Sequence, residues 1–227
     1  MVRTARSKSP TANEEVLLLE DLVRALCHDV GNLLAAVRLS AHLLRTDIGE
    51  LERVSISRDI EDLSAHAGAL LAHVRPLLVG ASITRTPVSP AEILGAVARA
   101  FEEKERGGAS LSITRGRNLS DVRLDPDALY HLLLTLVRGA LEAAAPAGRV
   151  RVAAKQQGRR VVLSVIDDGR EMNLDEVWSG PAPRGRELAV RVADVVLRRM
   201  GGRVSAESRR RGTRIDLWLP VAGSRSS

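Results

Sequence analysis

The chain is poor in cysteine, in lysine and in aromatic side chains, and each shortage closes a class of function. A single cysteine, Cys27, allows no internal disulfide and no thiolate cage for a metal. Phe101, Tyr130, Trp178 and Trp218 are the only aromatic residues besides histidine and stand far apart, so the stacking platforms of a single-strand nucleic-acid binder are missing. No apolar run reaches the length that spans a bilayer. The polar, basic stretch from Met1 to Asn13 is followed by no apolar segment of the signal type, and a cytoplasmic protein is expected. Lysine occurs only at Lys8, Lys104 and Lys155, so arginine carries the formal net charge of +6. That charge favours anionic partners such as phosphate groups or acidic protein faces, with nucleic acid ranked last. What is present is globular: 44% hydrophobic and 27% charged residues over 227 positions suffice for one large domain or two small ones.

From Glu14 to about Thr46 apolar residues recur at Leu19, Val23, Leu26, Val30, Leu33, Val37 and Leu44. Steps of three and four place them on one helical stripe. Ile56, Ile60, Leu63, Ala67, Leu70, Val74 and Leu77 repeat the pattern, and Pro76 falls where it ends. A short link between the two predicts an antiparallel helical hairpin. Two such stripes cannot cover each other fully, so a homodimer with a shared four-helix bundle is expected. The domain reading is a disordered basic tail over 1–13, the hairpin over 14–80, an α+β unit over 87–221 and a tail over 222–227.

Arg24, His28 and Asn32 stand at i, i+4 and i+8. They share the helix face opposite the apolar seam, with Asp29 beside the histidine. A neutral imidazole there can attack a phosphoryl group in line, an adjacent carboxylate can fix its tautomer, and an amide can bond an oxygen or a water. Position alone is equally met by a solvated histidine on a solvated face. His66 and His73 lie too far apart along their helix for one ion, and His42 and His131 lack acidic neighbours at ligand spacing. No metal site is expected.

The segment LCHDVGNLL, Leu26 to Leu34, resembles the H-box of two-component histidine kinases. The resemblance implies that His28 is the phosphoacceptor, Asp29 the base that orients it, and Asn32 the residue that assists dephosphorylation. Arg24 joins this catalytic set through its place one turn before the histidine.

After a loop over 79–90 the chain alternates. Helical periodicity covers 91–105, 125–145 and 187–200; strand patterns cover 110–114, 120–124, 150–155, 161–166, 203–207 and 214–219. Helices in one layer against a mixed sheet make an α/β sandwich. This order is similar to the GHKL-type ATPase domain of histidine kinases, shared with gyrase and Hsp90. DPDALYHLLLTLVRGALEAA resembles its N-box helix, VIDDGREM its first glycine box, and RGRELAVRVADVVLRRMGG its second.

Within that likeness the nucleotide residues are eroded. The resemblance implies that Asp167, Gly169 and Gly185 are remnants of an ATP site. Gly139 stands where the metal-binding Asn belongs, and Thr135 where an Asn is found one turn earlier. Glu171, Glu187 and Ala189 replace glycines, and the lid between Met172 and Gly185 is short, with Pro181 and Pro183. Carboxylates there would repel a triphosphate, so ATP use and a tightly bound cofactor are not expected. The reading is a phosphorelay phosphotransferase: His28 takes a phosphoryl group from a phospho-Asp receiver, whose own pocket supplies Mg²⁺, and passes it to a response regulator. The alternatives are a sensor-less histidine autokinase using ATP and a non-catalytic adaptor that binds a kinase or regulator.

Overall fold

The computed structural model describes residues 3–6, 12–46, 48–79, 85–101, 108–144, 147–179, 185–209 and 211–223. In chain order these are β1 Arg3–Arg6, α1 Ala12–Leu43, α2 Glu50–Val79, β2 Thr86–Val88, α3 Pro90–Ala100, β3 Ser110–Thr114 and β4 Val122–Leu124. There follow α4 Pro126–Ala144, β5 Arg149–Gln157, β6 Arg160–Asp167, α5 Leu174–Ser179, α6 Gly185–Arg199, β7 Arg203–Ser208 and β8 Thr213–Pro220.

The long helices α1 and α2 pack on each other, and α2 also lies against α4 and α6. Val30 and Leu33 of the predicted seam are half-buried against the core of the later unit, while Ile56 and Ala67 are buried. The second helix is longer than its apolar pattern. It begins at Glu50, whose carboxylate and that of Glu52 suit the positive helix start, and it continues past Pro76 to Val79.

The other helices cover one face of a six-stranded sheet of order β1-β7-β8-β6-β5-β3, in which only β3 and β5 run parallel. The fold class is α+β, as expected. Strands β5 and β8 alternate burial, whereas the central β6 is buried from Val161 to Val165: Val150, Val152, Leu163, Val165, Ile215, Leu217 and Leu219 point into a core filled by Leu129, Leu132, Leu133 and Leu136 of α4 and Leu188, Val192 and Val196 of α6. Burying one such leucine is worth about 2 kcal/mol, so this layer dominates the stability of the unit. On the other face, Arg203 stacks 4.6 Å over the Trp218 ring, whose indole N–H donates to Ser205.

Helix α4 starts where Asp125 Oδ1 accepts the Ala128 N–H at 2.9 Å, with Pro126 in the first turn. Helix α6 ends at Arg199, and Gly201 in the turn beyond takes φ +80, a conformation that costs other residues more. No described helix is long and apolar enough to cross a membrane.

Three elements depart from the sequence reading. The disordered tail expected over 1–13 contains β1, paired antiparallel with β7 from Arg3↔Ser208 to Arg6↔Ser205. Backbone pairing at a free sheet edge needs no apolar side chain. The expected loop over 79–90 contains β2, joined to β4. The stretch expected as a short lid between Met172 and Gly185 contains α5.

Candidate functional site

Helix α1 carries Arg24, His28, Asp29 and Asn32 within its regular span. Four-residue steps of 1.5 Å rise set Arg24, position 28 and Asn32 roughly 6 Å apart along the axis. Arg24 and Asn32 are exposed, whereas the side chains of His28 and Asp29 lie outside the described residues. Further along, Ala35 is exposed and Leu39 is 62% exposed.

The second site lies where the end of β6 meets the start of α6. Asp167 closes β6, between Val150 of β5 and Thr213 of β8 in register. Its Oδ1 accepts the Gly169 N–H at 3.0 Å, the ordinary geometry of an Asp before a turn. The turn is tight against its surroundings: a Cβ at Gly169 would strike the Ala143 carbonyl, and one at Gly212, which has φ +86, would strike the carbonyl of Asp167. Two of the predicted remnants, Asp167 and Gly169, are thus brought together. The third, Gly185, opens α6 at φ +52.

Arg186, next along, enters this pocket. Its Nη1 lies 3.3 and 3.2 Å from the two carboxylate oxygens of Asp167, and its Nη2 donates to the Arg170 carbonyl at 2.8 Å. The two side chains are 2% and 1% exposed. Burial pushes the Asp167 carboxyl above its usual range, against the opposing pull of the Arg186 charge and of N–H donors from Gly169 and Thr213. Burial likewise lowers the Arg186 guanidinium, opposed first by Asp167 and then by Glu187. Gly139 faces the arginine stem, since a Cβ there would meet Arg186 Cγ at 3.5 Å. A longer side chain at 139 would compete with that stem for space. Arg186 Nε and Thr213 Oγ1 are buried without a hydrogen-bond partner among the described residues.

The same helix ties down the segment before it. Glu187 accepts the Asn173 N–H at 3.4 Å, and Asn173 caps α5 through Glu176 N–H. Arg191, buried, donates to the carbonyls of Val177 and Glu176 at 2.8 and 3.2 Å, serving the far end of α5. Met172, Leu174 and Val177 are buried beneath. Glu171 is exposed, while Pro181 and Pro183 lie outside the described residues. Glu187, expected as a bare charge towards a nucleotide, instead serves a backbone donor. Asp168 points away from the pocket, where Arg149 N–H at 2.6 Å holds its carboxyl below the usual range. Among the described residues no three His, Cys, Asp or Glu side chains are grouped to hold a metal ion.

Arg186 and Arg191 were missed by sequence reasoning. The sequence carries no signal for their burial: Arg191 shares one side of α6 with Glu187, Asp194 and Arg198, and only the packing of α5 and of the turn after β6 over the helix takes the two arginines inward.

Residues 124–223 match the family described as histidine kinase-, DNA gyrase B- and HSP90-like ATPase. The sensor histidine kinase ZraS of Escherichia coli is 24% identical over 220 residues, covering 92% of this chain and 47% of that protein. The chain therefore spans about half the length of the curated relatives it matches. Among solved structures, the histidine kinase ThkA in complex with the response regulator TrrA aligns over 97% of this chain and 75% of its own, with TM-score 0.71 and 16% identity. A bacterial phosphotransferase aligns over 94% of this chain and 100% of its own, with TM-score 0.53 and 16% identity. At such identities the two structures establish the fold.

Proposed function

Because the chain is a histidine kinase-like protein with a GHKL-type ATPase domain, we propose that it works in a phosphorelay as a histidine phosphotransferase rather than as a kinase. The observation that carries this reading is the buried Asp167–Arg186 pair. In a nucleotide-binding member the matching carboxylate must be free to accept from the base. Here it is consumed by the chain's own cation, and Gly139 offers no ligand for Mg²⁺. The residues present do not fit ATP, so the phosphoryl group comes from elsewhere.

The donor is a phospho-Asp receiver. The neutral imidazole of His28 attacks phosphorus, an N–P bond forms, and the P–O bond to the receiver's aspartate breaks, returning a carboxylate. Asp29 keeps the other ring nitrogen protonated, and the exposed Arg24 offsets charge on the phosphoryl oxygens. Transfer onward is the reverse reaction with a second receiver, whose acidic pocket supplies Mg²⁺. The exposed Ala35 and Leu39 below the histidine suit a docking receiver, and ThkA is seen with a response regulator. Helices α1 and α2 form an antiparallel hairpin that pairs with a second copy. The apolar side chains one copy leaves uncovered support this: Val23 at 46%, Leu43 at 41%, Leu51 at 90% and Val54 at 50% exposure.

The comparisons taken alone weigh towards the second reading, an ATP-binding kinase, since the matched family is one of ATPases and the curated relatives are sensor kinases. One experiment separates the two. Wild type and His28→Ala are incubated with γ-labelled Mg-ATP and, separately, with a phosphorylated receiver. The phosphotransferase takes acid-labile label from the receiver only, and loses it in the variant. Label from ATP makes it a kinase.

A further inference from the structure

The pocket at the end of β6 is already full. Its contents come from α6, through a residue that neither the seam nor the glycine pattern requires. Asp167 presents both carboxylate oxygens to one guanidinium nitrogen, Arg170 presents a carbonyl to another, and Gly139 leaves the space that the arginine stem occupies. Yet the fit is incomplete. Among the described residues Arg186 Nε is buried without a partner, and so is the hydroxyl of Thr213, the cross-strand neighbour of Asp167. Buried polar atoms are normally paired. A pocket shaped for this arginine would have served both atoms.

We infer that Arg186 is a resident ligand: its planar guanidinium fills a pocket able to take another flat group that offers N–H donors to Asp167, of which the amino edge of adenine is the member suited to this family. The inference rests on the proposed loss of ATP use and names its immediate cause, one side chain rather than the sum of the altered glycines. A guanidinium and an aminopurine edge share the essential chemistry, a plane carrying N–H groups towards a carboxylate. They differ in charge. A charged occupant neutralises Asp167 permanently, whereas an adenine would come and go. Gly169 and Gly212, whose Cβ atoms would strike backbone, keep the surrounding turns close to the pocket in either state.

The test uses the full chain, with Arg186→Ala and, should that variant not fold, Arg186→Ser, whose short side chain likewise leaves the guanidinium's place empty. Calorimetry measures binding of adenosine, purine riboside and methylguanidine, the last at concentrations too low to denature. No Mg²⁺ is required, because the base alone is being read. The expected result is adenosine binding to the folded variant at a Kd of about 1 mM or below, at least tenfold tighter than to wild type. Methylguanidine should also bind and raise the melting temperature of the variant alone. Purine riboside, which has no N–H on its rings, should fail, and adding Asp167→Ala should abolish both gains. A folded variant that binds neither adenosine nor methylguanidine overturns the inference and leaves the phosphotransferase reading standing. Wild type that binds adenosine as tightly as the variant also overturns it, and with Mg-ATP labelling of His28 the phosphotransferase reading falls as well.

Discussion

Removing one half of the buried pair should cost far more than removing both. At 3.2 Å and an effective dielectric of about 20, the attraction between Arg186 and Asp167 is roughly 5 kcal/mol. Taking each ion out of water costs several kcal/mol, so the pair as a whole contributes little net stability. With side chains 2% and 1% exposed, neither survivor of a single substitution can recover its hydration. Arg186→Met should therefore lose about 3–5 kcal/mol, and Asp167→Asn, which keeps an acceptor for Gly169, a little less. The double variant should lie within about 2 kcal/mol of wild type, the remainder reflecting an imperfectly paired amide. Urea denaturation followed by tryptophan fluorescence reads this selectively, because Trp178 and Trp218 are the only tryptophans and both belong to the ATPase-type unit. Additive losses, or single losses below about 1 kcal/mol, would refute the reasoning and mean that the pair is open to solvent.

Gly212→Ala should lose at least about 3 kcal/mol or fail to fold, since φ +86 and the clash with the Asp167 carbonyl act together; a midpoint shift in the same urea assay checks this. Asp168→Asn should destabilise the fold by less than about 1 kcal/mol at neutral pH, the partly exposed pair with Arg149 being screened. Because the folded carboxyl sits below its ordinary 3.8, its contribution is present above that value and lost as pH falls through the lowered one. Melting curves of variant and wild type should converge on acidification. Arg191→Met should free the carbonyls of Val177 and Glu176 and raise the rate of proteolytic cleavage around α5, with little change elsewhere.

Much of this fold is legible as periodicity. Strand β3 has the bounds its alternation predicts, Ser110–Thr114, and α6 stops just before Gly201, as the glycine demands. Signals fail where an element is too short to show a period. Helix α5 has six residues and is defined by its Asn173 cap and by Arg191 from another helix. Strand β2 has three residues, one of them Pro87, and exists because β4 is there to pair with it. The site divides in the same way. Asp167 and Gly169 are neighbours in sequence and could be paired on paper, but Arg186 meets Asp167 only through tertiary structure. A rule that treats an arginine as a surface residue sends it the wrong way.

The pairing of β1 with β7 puts the chain on a leash. Residues 7–11 separate Arg6 from Ala12, and so short a span reaches roughly 20 Å at full stretch. The start of α1 is thereby moored to the far edge of the sheet, while β2, which follows α2 in the chain, pairs with β4 of the same unit. A helical pair tied to that unit at both of its ends has less room to swing away from it than one tied at a single end.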